Sequence, residues 1–197
     1  MSGMDFASLW GVLARIHRLP TAEEQQMAYS SLRDVAGDKA GELLDACRRY
    51  RRALPKLSGA AGVEELRTLL DKRADAIEPH CAPLGALADE LDSSSGAHSA
   101  IMEAMITEAR RVCALEGSHA ARDAALVGIA QRIEHDLFAA TRQLQRYARE
   151  LKLKGFDKRL TEMMREARLV DRELDSIAHG TLFGPGIDRT AAEEVRP

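Results

Sequence analysis

The segment LVGIAQRIEHDLFAATRQLQRYAREL, Leu126–Leu151, decides how this chain folds. Leu126, Ile129, Ile133, Leu137, Leu144, Tyr147 and Leu151 recur at three- and four-residue spacing, the repeat of one face of an α-helix. At 3.6 residues per turn the stripe runs for about seven turns. Two polar residues sit beside it. Glu134 adjoins Ile133 at the stripe's edge and His135 lies further round. Either they ligate a metal or they form a charged flank, and the choice separates a metal-binding protein from a helical structural one.

Similar stripes lie on both sides. From Asp38 onward, Leu43, Leu44, Cys47, Tyr50 and Leu54 share one face before Pro55 and the SGAAG loop, which predicts a first long helix. A second is expected from Val63 to Leu91 on Leu66, Leu70, Ile77, Leu84, Leu87 and Leu91. Pro79 and Pro83 should kink or break it, because each lacks an amide hydrogen and crowds the carbonyl four residues earlier. DSSSGAHS, Asp92–Ser99, reads as a loop, and a shorter helix from Ser99 to Leu115 ends at Gly117. Ser118 can then cap the Leu126–Leu151 helix. Beyond Gly155, Leu160, Met163, Met164, Ala167, Val170, Leu174 and Ile177 define the last long helix. Four long stripes with a short helix between the second and third predict an all-α four-helix bundle over residues 38–178, with a crossover helix.

The ends read differently. Phe6, Leu9, Trp10, Leu13 and Ile16 form an amphipathic segment stopped by Pro20, and Thr21 with Glu24 offers a capping box for a second short helix ending near Gly37. Residues 1–37 are thus expected to be a helical extension. The tail, residues 179–197, has too little apolar surface to order itself and is expected to be flexible.

Composition agrees with helices: aromatics are only 4% of the 197 residues, whereas Ala, Leu, Glu and Arg, which lose little rotamer freedom in a helix, are abundant. The net charge of -3 provides no global field for nucleic acid or an anionic membrane, so neither is expected as a partner. No run approaches the roughly 20 apolar residues that span a bilayer, and the amino terminus has the wrong pattern for a signal peptide. Cys47, Cys81 and Cys113 form no CxxC and are odd in number, which suits a reducing compartment, and a cytoplasmic location is expected.

ARDAALVGIAQRIEH followed by GFDKRLTEMMREARLVDRELDSIA, with ALPKL and MEAMITEA upstream at matching spacing, resembles the YciE/YciF-like ferritin-like stress proteins over roughly residues 40 to 178. The resemblance implies a ferritin-like bundle, a homodimer, a link to stress responses, and a carboxylate dimetal centre with ferroxidase activity on iron. Such a centre takes one Glu from each of two helices and a Glu-x-x-His from each of the others, and its hard oxygen ligands suit iron or manganese. Carried over residue by residue, the pattern is incomplete. Cys47 stands where the first helix of the family has an acid. RADAIEPH keeps Asp75 and gains Glu78 and His80. Glu134 and His135 match in the third long helix, but Leu137 replaces the family's second Glu. Glu166 and Asp171 match in the fourth, where Ala167 replaces an acid. The centre is therefore expected to be reduced or lost, and any remnant would use Glu134, Glu166, Glu78 and Asp75 with His80 or His135.

Each candidate also has a structural reading. Glu134 and Glu166, both at the inner edge of their helices, suit an interhelical ion pair with an arginine as well as metal ligation. Asp75 lies about 200° from Ile77 on the helical wheel and suits the outside. Cys47 fits as a small buried hydrophobe. CRRYRR, Cys47–Arg52, is the one concentrated basic patch noted, and it reads as a solvated face with ion pairs to neighbouring helices. No phosphate loop, GxSxG, HExxH or CxxC is present. The alternative to a metal protein is a non-catalytic helical dimer or partner-binding module, with Trp10 and its stripe offered to a protein partner. Convergence of four carboxylate or His groups between helices would favour the metal. Two such groups among Arg and Leu would favour the scaffold.

Overall fold

A computed structural model describes residues 29–93, 97–181 and 184–194. The first long helix, α1, is Leu32–Ala60. It starts at a capping box: the Ser31 hydroxyl accepts from the Asp34 amide at 3.2 Å, and the Asp34 carboxylate accepts from the Ser31 amide at 3.0 Å. The helix therefore begins ahead of Asp38, and Gly37 lies inside it rather than ending an earlier one. Gly37 is a point of close approach, since a Cβ there would stand 2.8 Å from the Leu91 carbonyl oxygen. The expected segments around Trp10 and Thr21 lie outside the described residues.

Pro55 does not end α1, and α2, Glu64–Glu90, runs unbroken through Pro79 and Pro83. The reason is packing. Ile77, Leu84 and Leu87 are buried on both sides of the prolines, and their burial, at roughly 1.5–3 kcal/mol per side chain, offsets the loss of backbone bonds at the ring nitrogens. Helix α3, Ala100–Cys113, is capped by Ser99 and forms the crossover, packing against α1 and α4. Helix α4, His119–Glu150, starts at the Ser118 cap just after Gly117, whose φ is +122°. Gly155, with φ +97°, precedes α5, Asp157–His179.

Helices α1 and α2 pack as one pair and α4 and α5 as another, and α1–α4 and α2–α5 contacts close the four-helix bundle. Its core takes the predicted stripes: Leu43, Cys47, Tyr50 and Leu54 face Leu66, Leu70, Ile77, Leu84 and Leu87 of α2, Ile129, Ile133, Leu137 and Leu144 of α4, and Leu160, Met163, Val170 and Leu174 of α5. This is an all-α, ferritin-like architecture. No helix among the described residues is long and apolar enough to cross a membrane.

Two features lie outside what the sequence reading anticipated. Val63, the residue preceding α2, has no side-chain cap of its own; the fully buried Asp123 of α4 accepts instead from the Gly62 and Val63 amides at 2.9 and 2.8 Å. The tail, in its described part, is folded rather than loose. Gly180–Thr181 and Gly184–Pro185 form a two-residue ladder, and a short helix α6, Ile187–Glu193, buries Ile187 in the core cluster. One well-placed apolar side chain does what the tail's poor average composition does not suggest.

Candidate functional site

The stripe of α2 reads Leu66, Leu70, Arg73, Ile77, His80, Leu84, Leu87, so two polar residues occupy positions whose spacing assigns them to the core. Arg73 and His80 are 4% and 6% exposed. A buried guanidinium must find an anion, because it cannot shed its proton. Arg73 finds Glu134, which is wholly buried on α4. Nε donates to Oε1 at 2.8 Å and Nη2 to Oε2 at 2.9 Å, a two-pronged pair that joins the two halves of the bundle.

The network continues to α5. Arg73 Nη1 is 3.6 Å from Glu166 Oε2, an ion-pair distance too long for a hydrogen bond, and His80 Nε2 is 2.7 Å from that same oxygen. Glu166 is half-buried. From α1, Cys47 and Tyr50 close the site. Burial pushes the Cys47 thiol up to about 12, so it stays protonated. Burial also raises the Tyr50 hydroxyl well above its ordinary value; its oxygen feels the Glu134 charge but has no hydrogen-bond partner in good geometry.

Burial raises the Glu134 carboxyl and the adjacent Arg73 opposes that rise, while burial works against the charge on Arg73 and Glu134 sustains it. The geometry makes the pair ionic. Both Glu134 oxygens accept from N–H groups, and a proton on either would face a donor.

The structure brings together three of the six predicted residues, Glu134, Glu166 and His80, and joins them through Arg73, which spacing alone could have flagged but which is no metal ligand. The other three stand apart. Asp75 is exposed, Glu78 pairs with Arg51 at 2.5 Å, and His135, 66% exposed at its side chain, faces Asp171 at 3.0 Å. CRRYRR divides similarly: Tyr50 is buried, whereas Arg49 and Arg51 form ion pairs with Asp45 and Glu78.

These side chains do not fit a carboxylate dimetal centre. A guanidinium already takes both oxygens of Glu134, a thiol and the buried Leu137 hold positions where the resemblance implies acids, and Asp75 and Glu78 point away. Among the described residues, no group of three or more His, Cys, Asp or Glu side chains is placed to hold a metal ion.

Comparison with known proteins agrees with the fold. The E. coli stress protein YciF superposes with a TM-score of 0.67 at 25% identity, over 75% of this chain and 94% of that one. YcfI of Rhodopseudomonas palustris, for which a structural role is suggested, superposes with a TM-score of 0.72 at 22% identity, over 78% of this chain and 98% of that one. No curated protein sequence matches. Residues 31–183 match the family described as a domain of unknown function, DUF892. Over residues 31–183 the chain belongs to that YciF-like family.

Proposed function

We propose that this chain is a non-enzymatic, structural member of the YciF-like stress proteins, in which an arginine cation has replaced the metal ions that a ferritin-like bundle of carboxylates would hold. The carrying observation is the two-pronged Arg73–Glu134 pair at the bundle's centre. A fixed cation there neutralises the same carboxylate and ties α2 to α4, so the fold keeps its internal bridge without iron or manganese. In this reading the protein works in the cytoplasm as a homodimer, and the segment ahead of α1 serves as an attachment for a protein partner.

The test is metal retention after anaerobic incubation of the full chain with ferrous iron or manganese, beside a Glu134→Ala/Glu166→Ala double variant. Retained metal well below one ion per chain, with no upward shift of the melting temperature, is expected. Near-stoichiometric metal that stabilises the protein and vanishes in the double variant would overturn the reading and restore the ferroxidase alternative.

A further inference from the structure

On the outer face of the α4–α5 pair, away from the Arg73 network, lies an open groove of about 580 Å³. Phe138 of α4 and Met164 of α5, both partly buried, form its apolar floor, and Arg142, Arg165, Arg168 and Arg172 line it. The Arg168 guanidinium lies over the Phe138 ring, 4.3 Å from its centroid. None of the four arginines has an ion pair or hydrogen bond to another side chain among the described residues, whereas Arg49, Arg51, Arg132 and Arg149 each meet a carboxylate. Arg165, Arg168 and Arg172 follow at i, i+3 and i+7, so they share a face and repel one another. The chain as a whole is net negative, so this local excess of positive charge is not a consequence of general basicity.

We infer that this groove binds a small organic polyphosphate, with the guanidinium groups holding the phosphates and the Phe138–Met164 floor receiving a flat or apolar body. The chemistry of the lining selects that class. Guanidinium forks match phosphate oxygens two at a time. Several such forks around one groove favour clustered anionic charge over a single carboxylate. The volume is that of a small-molecule site, and an aromatic ring already bearing a guanidinium stack offers a platform for another planar group.

Isothermal titration of the full chain with adenosine triphosphate and with inorganic triphosphate, free of divalent cations, tests this. The nucleotide binds once per chain and more tightly than inorganic triphosphate. Arg165→Gln/Arg168→Gln weakens both by about tenfold or more. Phe138→Leu weakens the nucleotide alone, and Arg132→Gln, at a paired arginine outside the groove, changes neither. Thermal melts establish that each variant is folded. The inference is overturned by neither probe binding below about 1 mM, by binding that survives the double arginine substitution, or by a single-stranded oligonucleotide binding more tightly than the nucleotide. Self-association abolished by the same substitution would also overturn it, since the occupant would then be a second copy of the chain.

Discussion

Two sets of arginines in this protein occupy opposite settings. Arg73 is buried on α2 with both prongs on one carboxylate, whereas Arg142, Arg165, Arg168 and Arg172 stand around an open groove whose described lining holds no carboxylate. The same side chain therefore does different work according to its surroundings. In the interior a guanidinium cannot be left unpaired, so its position is dictated by a partner on another helix. At the surface water solvates it, and an unpaired cluster survives at small cost, open to an incoming anion.

The sharpest way to break this contrast is Arg73→Ala. Removing one partner strands Glu134 in the core, and a loss of about 3–5 kcal/mol in unfolding free energy is expected by chemical denaturation. A second, smaller effect follows at the other fully buried carboxylate. Asp123→Ala leaves the Gly62 and Val63 amides without their acceptor, and about 1–3 kcal/mol should be lost, with the damage concentrated at the start of α2 in hydrogen exchange. Replacing both members of the central pair, Arg73→Met with Glu134→Leu, should return stability to within about 1 kcal/mol of the parent or exceed it; a loss as large as that of Arg73→Ala would show that the network through Glu166 and His80, rather than the pair itself, holds the bundle.

The outer groove should respond in the opposite sense. Arg165→Gln removes like-charge repulsion along α5 while leaving the Arg168–Phe138 stack in place, and a gain of about 0.2–0.5 kcal/mol is expected at low salt, shrinking as ionic strength rises. The smallest effect concerns Asp45. Burial alone would raise its carboxyl, but the Ser99 amide and Arg49 outweigh that and hold it below its ordinary value. A lowered folded pKa contributes stability that is present above the unfolded value and lost as pH falls through the folded one. Asp45→Asn should therefore flatten the acid limb below about pH 4 and change neutral stability by less than about 1 kcal/mol.

Much of this was readable in advance where the cause is local. The stripes on α1, α2, α4 and α5 repeat with the helix, so Leu43, Ile77, Ile133 and Leu174 identify themselves as core without knowledge of any partner. Ser118 caps the helix that follows it because the hydroxyl reaches only its own chain three residues on. The prolines misled because their local cost is real, but the burial that outweighs it lies on other helices.

The site was legible only in part. Spacing put Glu134 and Glu166 at the inner edge of their helices and Asp75 outside, and an arginine pair stood among the readings for both glutamates. What spacing could not supply was which arginine. Arg73 lies 61 residues from Glu134 along the chain, as Asp123 lies 61 from Gly62, and such meetings depend on how one helix slides and turns against another. Sequence by itself thus determined four amphipathic helices, the Ser118 cap and a metal pattern missing several acids. Tertiary structure alone decided that the remaining carboxylate closes on a cation of the chain's own and that Ile187 anchors the tail. It also gathered four arginines into one groove without an ion-pair partner among the described residues. A helix carries its period within itself, but an ion pair between helices exists only once their faces and register are set.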